Sequence, residues 1–218
     1  MAKNYSSKVP ERYMEGWDNV YKKQMEGDIG ELPHSYVHYA LQEFMLFTRG
    51  KEHEGKNALD VGTGDGRYAC FLAQLGFQVD AYDVLPSAIE ITLKRAEALG
   101  VKEKVNVILS SMEEFSLKPE SYDVISAIQC LQYLYDQAKP KFEELKETVK
   151  PGGFLLYGGN VKPHFKTEPP LEFITMTELK KSLKGWIIYS IAKEVRLVRP
   201  KDRRGYVWVV AQKPETKN

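Results

Sequence analysis

Three glycines alternate with other residues directly after an apolar segment, in the sequence ALDVGTGDG at residues 58–66. They are Gly62, Gly64 and Gly66. Because glycine has no Cβ, the backbone of such a loop can come very close to a bound molecule. The apolar segment predicts a strand that ends at Val61, and open parallel sheets bind ligands outside the carboxyl ends of their strands. The loop therefore predicts a ligand site at that edge of a sheet.

A carboxylate stands at the end of the next predicted strand. Asp83 follows Gly64 by 19 residues. At this place in a parallel sheet, a carboxylate can accept hydrogen bonds from both hydroxyls of a ribose. The glycines and Asp83 together favour a ligand that contains adenosine.

The spacing of the glycines distinguishes between the possible adenosine-containing ligands. Dinucleotide sites have the pattern G-x-G-x-x-G, whereas this loop is G-x-G-x-G and has Arg67 in place of the third dinucleotide glycine. The phosphate-binding pattern G-x-x-x-x-G-K-[ST] does not occur. Asp60 and Asp65 flank the glycines, and their charge would repel a pyrophosphate but favour a cation. S-adenosylmethionine has an ammonium, a sulfonium and no phosphate, so it suits this loop better than NAD.

Predicted strands and helices alternate from about residue 55. Five short apolar segments predict strands: NALDVG, FQVDAYD, KVNVILS, YDVISAI and GGFLLYGG. Apolar residues at helical spacing predict helices within residues 86–100 and 138–153. This alternation predicts a doubly wound parallel sheet covered on both faces. Two further strand-like segments near the C-terminus, joined by RPKDRRG, predict an antiparallel hairpin.

The first 50 residues are rich in aromatic side chains and predict two helices, at residues 11–24 and 34–48. Trp17 and Tyr21 are four residues apart and share a helix face with Tyr13. These rings either attach the first helix to the core or form a lid whose aromatic faces lie near a sulfonium.

The segment ALDVGTGDGRYACFLAQLGFQVDAYDVLPSAI resembles the cofactor-binding half of class I S-adenosylmethionine-dependent methyltransferases. More narrowly, it is similar to the small-molecule branch that includes tellurite-resistance methyltransferases. The resemblance continues through SYDVISAIQCLQYL, LKPGGFLLYGG and MTELKKSLKGW, and covers about residues 10–213. It implies a seven-stranded sheet whose last strand is inserted antiparallel. It also implies a single domain over residues 1–218, with a helical cap or lid at 1–50 and a Rossmann-like cofactor-binding core at 51–218.

The resemblance implies a role for each residue around the loop. Those that hold the methionine part of the cofactor are Asp60, Gly62, Thr63, Gly64 and Gly66. Asp83 binds the ribose, and Val84 lies against one face of the adenine. Ser111 and Met112 border the adenine edge, Gln129 faces the cofactor, and Trp17 belongs to the lid. The chain departs from the family at two of these positions, since Thr63 replaces the frequent Cys or Ser and Ser111 stands near the place of a frequent Asp.

Methyl transfer from a sulfonium is an in-line displacement with a neutral leaving group, so positioning the acceptor supplies most of the catalysis. A general base is needed only where the acceptor loses a proton. His38 and Tyr133 are the candidates for such a role, and Gln132 and Tyr133 are candidates for contacts with the acceptor. His34 and His38 have a spacing that permits metal binding, but no third ligand is evident in the sequence, and we expect no metal.

The composition favours some partners and disfavours others. The chain has 218 residues and a formal net charge of +1, so we expect no nucleic-acid partner. Two cysteines without metal spacing, no apolar signal segment and no membrane-length apolar run predict a cytoplasmic chain with free thiols. The sequence IQCLQ at residues 128–132 replaces the N/D-P-P-Y pattern expected of adenine or glutamine amide methylases, which disfavours those acceptors. A compact chain without an appended RNA-binding module favours a small-molecule acceptor. The acceptor atom stays open between O, N, S, Se and Te, and the oligomeric state is not predicted.

Two alternative functions stay open: a non-catalytic cofactor-binding module and a nicotinamide-dependent oxidoreductase.

Overall fold

The computed structural model describes residues 11–27, 38–161, 171–199 and 202–216, and the side chains of residues 196–203 are outside that description. The described residues form two compact units. The first is built from residues 11–27 and 52–116, and the second from residues 38–51 and 117–216. His34 and His164 lie outside the described residues, as does the start of the helix predicted at 34–48.

The first unit contains three strands and three α-helices. Their bounds are α1 Glu11–Gln24, β1 Asn57–Val61, α3 Arg67–Gln74, β2 Gln78–Asp83, α4 Pro86–Ala98 and β3 Val105–Leu109. A short 3₁₀ helix, Lys102–Lys104, precedes β3. The strands pair in parallel, β1 with β2 and β2 with β3. Pro86 is the first residue of α4, where its missing N–H and fixed φ are well tolerated. Gly100 ends this helical segment with a φ of 68°.

The second unit contains four strands and three α-helices. Their bounds are α2 Tyr39–Phe47, β4 Tyr122–Ile128, α5 Ala138–Thr148, β5 Val149–Asn160, α6 Met176–Ser182, β6 Ile187–Arg199 and β7 Asp202–Gln212. A 3₁₀ helix, Leu131–Gln137, follows β4. β4 and β5 are parallel, whereas β7 is antiparallel to both β5 and β6.

The seven strands have the order β3-β2-β1-β4-β5-β7-β6. Five strands are parallel and the C-terminal pair is antiparallel, with β7 inserted between β5 and β6. This confirms the predicted fold class, including the position of the last strand.

Each unit has its own apolar core. Leu59, Leu72 and Ile91 are fully buried in the first unit, and Phe44 and Phe142 in the second. Burial of each such side chain contributes about 1.5–3 kcal/mol. Both cysteines are buried free thiols, as predicted, and burial raises the pKa of Cys70 to about 12. Among the described residues, every helix is too short or too polar to cross a bilayer.

Candidate cofactor-binding site

The glycine loop follows β1 and is held by backbone hydrogen bonds. Gly62, Gly64 and Gly66 have φ values of 66°, 59° and 74°, a left-handed conformation that favours glycine. The Thr63 N–H donates to the Tyr82 carbonyl of β2 at 2.8 Å, and the Gly66 N–H donates to the Thr63 carbonyl at 2.9 Å. The loop is therefore a fixed turn between β1 and α3.

Asp83, the last residue of β2, is bonded to this loop. The Gly64 N–H donates to Asp83 Oδ2 at 2.9 Å, and the Leu85 N–H donates to Asp83 Oδ1 at 3.0 Å. A carboxylate offers about four lone-pair sites, so Asp83 keeps acceptor capacity for a ligand hydroxyl. The side chain is half-buried. Burial raises the pKa of Asp83, although the hydrogen bonds from Gly64, Leu85 and Val84 act in the opposite direction.

Gly66 is required by the protein's own packing. A Cβ added at Gly66 would lie 2.7 Å from Cγ2 and from Oγ1 of Thr92, and 2.8 Å from its Cα. Thr92 is fully buried in α4, and its hydroxyl donates to the Gly64 carbonyl at 3.3 Å. The sequence predicted that the glycines let a bound molecule approach the backbone. At Gly66, the group that approaches the backbone is Thr92 of α4, in the same unit.

Gly64 faces α1. A Cβ added at Gly64 would lie 2.7 Å from the hydroxyl oxygen of Tyr21. Tyr21 stacks on Trp17, with ring centroids 5.8 Å apart, and Trp17 is 38% exposed. The helix also packs against α4. The aromatic face of α1 therefore lies over the glycine loop.

Asp65 is paired with arginines, which corrects the sequence-based electrostatic argument. The Arg67 guanidinium binds both carboxylate oxygens of Asp65, and Arg95 Nε donates to the Asp65 carbonyl at 2.7 Å. Arg95 also lies 3.5 Å from Asp65 Oδ2. Burial would raise the pKa of Asp65, but its bonds to Arg67 and the charges of Arg67 and Arg95 hold that pKa below its ordinary value. Its negative charge is thus used inside the protein and is not available to a ligand.

Asp60 and Thr63 lie deeper in the site. Asp60 is the fourth residue of β1 and is 1% exposed. Thr63 is 3% exposed, and its hydroxyl has no hydrogen-bond partner among the described residues. A buried hydroxyl without a partner is destabilising. A polar group of a ligand that bonded Thr63 Oγ1 would remove that cost.

The residues expected around an adenine ring belong to the same unit. Val84 follows β2, Ser111 and Met112 follow β3, and both Val84 and Met112 are half-buried. The Ser111 hydroxyl accepts the Glu114 N–H at 3.3 Å and thereby shapes the turn at residues 112–114. Ser111 therefore has a structural role in addition to the one implied by the resemblance.

The remaining site candidates belong to the second unit. His38 is the N-cap of α2, where its Nδ1 accepts the Ala40 N–H at 3.1 Å. In the neutral ring the proton is then on Nε2, which makes that nitrogen a donor. Gln129 follows β4, and Gln132 and Tyr133 lie in the 3₁₀ helix after it. Groups of three or more potential metal ligands are absent from the part of the chain that the structure describes.

Sequence analysis missed Thr92 and Arg95, which hold the loop from α4. Both are polar and fully or almost fully buried on a helix whose other buried residues are small or apolar. A polar residue on the predicted apolar face of a helix was the available signal, because buried polar groups need partners. The partner itself is distant in the sequence.

Residues 58–153 match the family model described as "Methyltransferase domain". The ubiquinone biosynthesis O-methyltransferase of Schizosaccharomyces pombe is 35% identical over 103 residues. That match covers 47% of this chain and 37% of the yeast protein. The chain thus spans well under two thirds of the length of this curated relative.

Solved structures share the fold at low sequence identity. TehB from Haemophilus influenzae has a TM-score of 0.66 and 18% identity, over 90% of this chain and 67% of TehB. The N-methyltransferase NodS from Bradyrhizobium japonicum, solved with S-adenosylhomocysteine, has a TM-score of 0.62 and 15% identity. That match covers 91% of this chain and 99% of NodS.

Proposed function

We propose that the chain transfers a methyl group from S-adenosylmethionine to a small molecule, a function that the match of residues 58–153 to the methyltransferase domain model supports. The observation that carries this proposal is the Asp83 carboxylate. Its oxygens accept the Gly64 and Leu85 N–H groups of the first unit and keep acceptor capacity for a ligand. A ribose hydroxyl, which is a hydrogen-bond donor, suits that remaining capacity.

The residues present fit this cofactor. The buried Thr63 hydroxyl has no partner among the described residues, so it is free to bond the polar methionine end. Val84 and Met112, both half-buried, supply apolar surface for an adenine ring. Asp60 and Asp83 supply the negative charge that a cationic ligand favours. With Asp65 neutralised by arginines, the electrostatic preference for this ligand rests on these two carboxylates.

The bound cofactor would supply an activated methyl carbon and a neutral leaving group. The chain's own task is then to bind, to orient and to exclude water. The loop at residues 62–66 is held by β2 and α4, so its N–H and carbonyl groups are already positioned before binding. The assignments of Gln129, His38 and Tyr133 from the family resemblance stay predictions.

We further propose that α1 acts as a lid over the cofactor. Tyr21 already lies over Gly64, and the neighbouring Trp17 ring is partly exposed. An aromatic face beside a sulfonium stabilises it by about 0.5–2 kcal/mol. Closure of such a helix would also keep water from the reacting pair.

The names of the relatives support the proposal of a small-molecule acceptor. The yeast relative is named for ubiquinone biosynthesis, and NodS is titled an N-methyltransferase. Fold-level similarity does not identify the acceptor itself.

An acceptor screen with isotopically labelled S-adenosylmethionine tests the proposal. The panel would include catechols, amines, thiols, tellurite and selenite, with the Asp83→Ala variant as the inactive control. We expect label in at least one small molecule with the wild-type chain. Tight binding of S-adenosylhomocysteine without transfer to any acceptor would instead support a non-catalytic cofactor-binding module. Binding of NAD would support the oxidoreductase alternative.

A further inference from the structure

Two glutamine side chains after β4, the buried Gln132 and the half-buried Gln129, present polar atoms for which the described residues supply no partner. Gln132 is 3% exposed, and its Nε2 donates to the Gln129 carbonyl at 3.0 Å. The same Nε2 lies 3.5 Å from Gln129 Oε1. Gln132 Oε1 and Gln129 Nε2 are both buried and lack a hydrogen-bond partner among the described residues. A donor and an acceptor are therefore available on two side chains that touch.

The backbone around this pair is strained. Gln129 has a φ of 60°, although it is not a glycine, and Tyr135 has a φ of 51° with a ψ of −130°. The Gln129 N–H donates to the Gly158 carbonyl of β5 at 2.7 Å, which holds the strained residue in place. Each such residue costs about 1–3 kcal/mol, and strain of this kind concentrates at functional sites. The segment also directly follows the carboxyl end of β4, where parallel sheets place their ligand sites.

We infer that Gln129 and Gln132 form a docking pair for a neutral hydroxyl group of the methyl acceptor. The inference rests on the proposed function and adds the chemical class of the substrate. A hydroxyl both accepts and donates a hydrogen bond, so it satisfies Gln129 Nε2 and Gln132 Oε1 together. Because neither buried atom has a partner to give up among the described residues, these two hydrogen bonds stabilise the complex more than the same bonds between exposed, hydrated groups would.

The pair disfavours an oxyanion. An oxyanion without a proton only accepts hydrogen bonds. It would leave Gln132 Oε1 without a donor, and its negative charge would repel the partial negative charge of that oxygen. Residues 129–137 contain one charged residue, Asp136, and no lysine or arginine. This segment therefore offers no cation to compensate the charge of tellurite or selenite.

Equilibrium binding of catechol to the full-length chain saturated with S-adenosylhomocysteine tests the inference. Calorimetry would compare the wild type with Gln129→Met, a substitution of similar length that removes the unused donor and none of the short hydrogen bonds. We expect saturable catechol binding to the wild type and a loss of about fivefold to tenfold in Gln129→Met. Gln74→Met, at an exposed position of α3, is the matched control and is expected to bind as the wild type does.

The thermal midpoint separates a docking role from a structural one. Because Gln129→Met removes a buried donor without a partner, we expect its midpoint to be equal to or above that of the wild type. Absence of catechol binding, unchanged affinity in Gln129→Met, or tellurite binding to the same site would overturn the inference. Binding of S-adenosylhomocysteine is measured in the first step, so failure of the proposed function is distinguished from failure of the docking pair.

Discussion

Gly64 and Gly66 lie two residues apart and have different neighbours. A Cβ at Gly66 would collide with Thr92 of α4, whereas a Cβ at Gly64 would collide with the hydroxyl of Tyr21 in α1. Gly66 therefore joins the loop to the core helix α4, and Gly64 lets α1 approach the loop. α1 is the helix proposed to act as a lid.

Substitution of Gly66 tests this distinction. Gly66→Ala combines a left-handed φ with a collision against Thr92, and we expect it to lower the free energy of unfolding by about 2–4 kcal/mol. Gly100→Ala is the matched control, since Gly100 also has a positive φ but has open space around it. We expect about 1–2 kcal/mol there, measured by urea denaturation. Equal losses in the two variants would mean that the Thr92 contact is not important.

Asp83 has a structural role in the loop and a proposed binding role at the same carboxylate. Asp83→Ala removes the acceptor for the Gly64 N–H as well as the proposed acceptor for ribose. We expect affinity for S-adenosylhomocysteine to fall tenfold or more, from the loss of about 1.5–3 kcal/mol. The control is Asp80→Ala on the same strand, where the carboxylate accepts the Asn106 amide at 2.8 Å. Calorimetric titration would refute the ribose role if both variants bound equally well.

The pH dependence of binding follows from the same group. Burial raises the pKa of Asp83, so its contribution to folding stability is largest in acid and is lost as the pH rises through that value. Ribose hydroxyls bond more strongly to the ionised carboxylate than to the neutral acid, so cofactor affinity changes in the opposite sense. Cofactor affinity should fall as the pH drops through the raised pKa of Asp83 in the wild type. The Asp83→Ala variant should not show this pH dependence.

At the scale of elements, the N-terminus of α3 is joined to α4 by a buried ion cluster. Arg67 is the first residue of α3, Arg95 is in the last turn of α4, and both contact Asp65. Removal of one partner from a buried cluster leaves uncompensated charge, which is strongly destabilising. The cluster therefore fixes where α3 begins relative to the glycine loop.

Asp65→Asn measures that contribution. We expect a loss of about 2–4 kcal/mol in the free energy of unfolding near neutral pH, because two arginines would lose their counter-charge. Since the pKa of Asp65 is held low in the folded chain, the stabilisation is present above the ordinary carboxyl range and disappears as the pH falls toward the lowered value. The stability difference between wild type and variant should therefore shrink in acid. A constant difference would contradict the cluster's electrostatic role.

The lid proposal concerns α1. Tyr21→Ala removes the ring over Gly64, and we expect affinity for S-adenosylhomocysteine to fall by about threefold to thirtyfold, in line with an aromatic contact to a bound cofactor. The Tyr21→Phe variant keeps the ring and should retain most of the affinity. Val20→Ala, at an exposed position of the same helix, controls for general loss of helix stability. Unchanged binding in Tyr21→Ala would show that α1 does not cover the cofactor.

The elements themselves were largely predictable, while the contacts around the loop were not. The helix at Pro86–Ala98 follows from its apolar spacing, its proline and Gly100, and the antiparallel β6–β7 pair follows from two strand-like segments with a short connection. The pairing of Asp65 with Arg95, by contrast, joins residues 30 positions apart. Local patterns contain no information about such a partner. His38 is the N-cap of α2, a contact that the sequence analysis did not predict, and its role as a base stays a prediction.

At the scale of the whole molecule, the strand order and the inserted β7 agree with the predicted fold class, and the glycine loop with Asp83 is the site proposed for the cofactor. The first unit supplies the residues proposed to hold the cofactor. The second contains the pair Gln129 and Gln132, which is proposed to bind a hydroxyl of the acceptor. Each half of the proposal can therefore be tested with its own ligand, without requiring turnover.

The most direct test of the central claim is a calorimetric titration of the full chain with S-adenosylhomocysteine and, separately, with NAD. The account predicts saturable binding of the thioether, one molecule per chain, and no heat of binding with the dinucleotide. Binding of NAD, or no binding of S-adenosylhomocysteine at any pH where Asp83 is ionised, would contradict it.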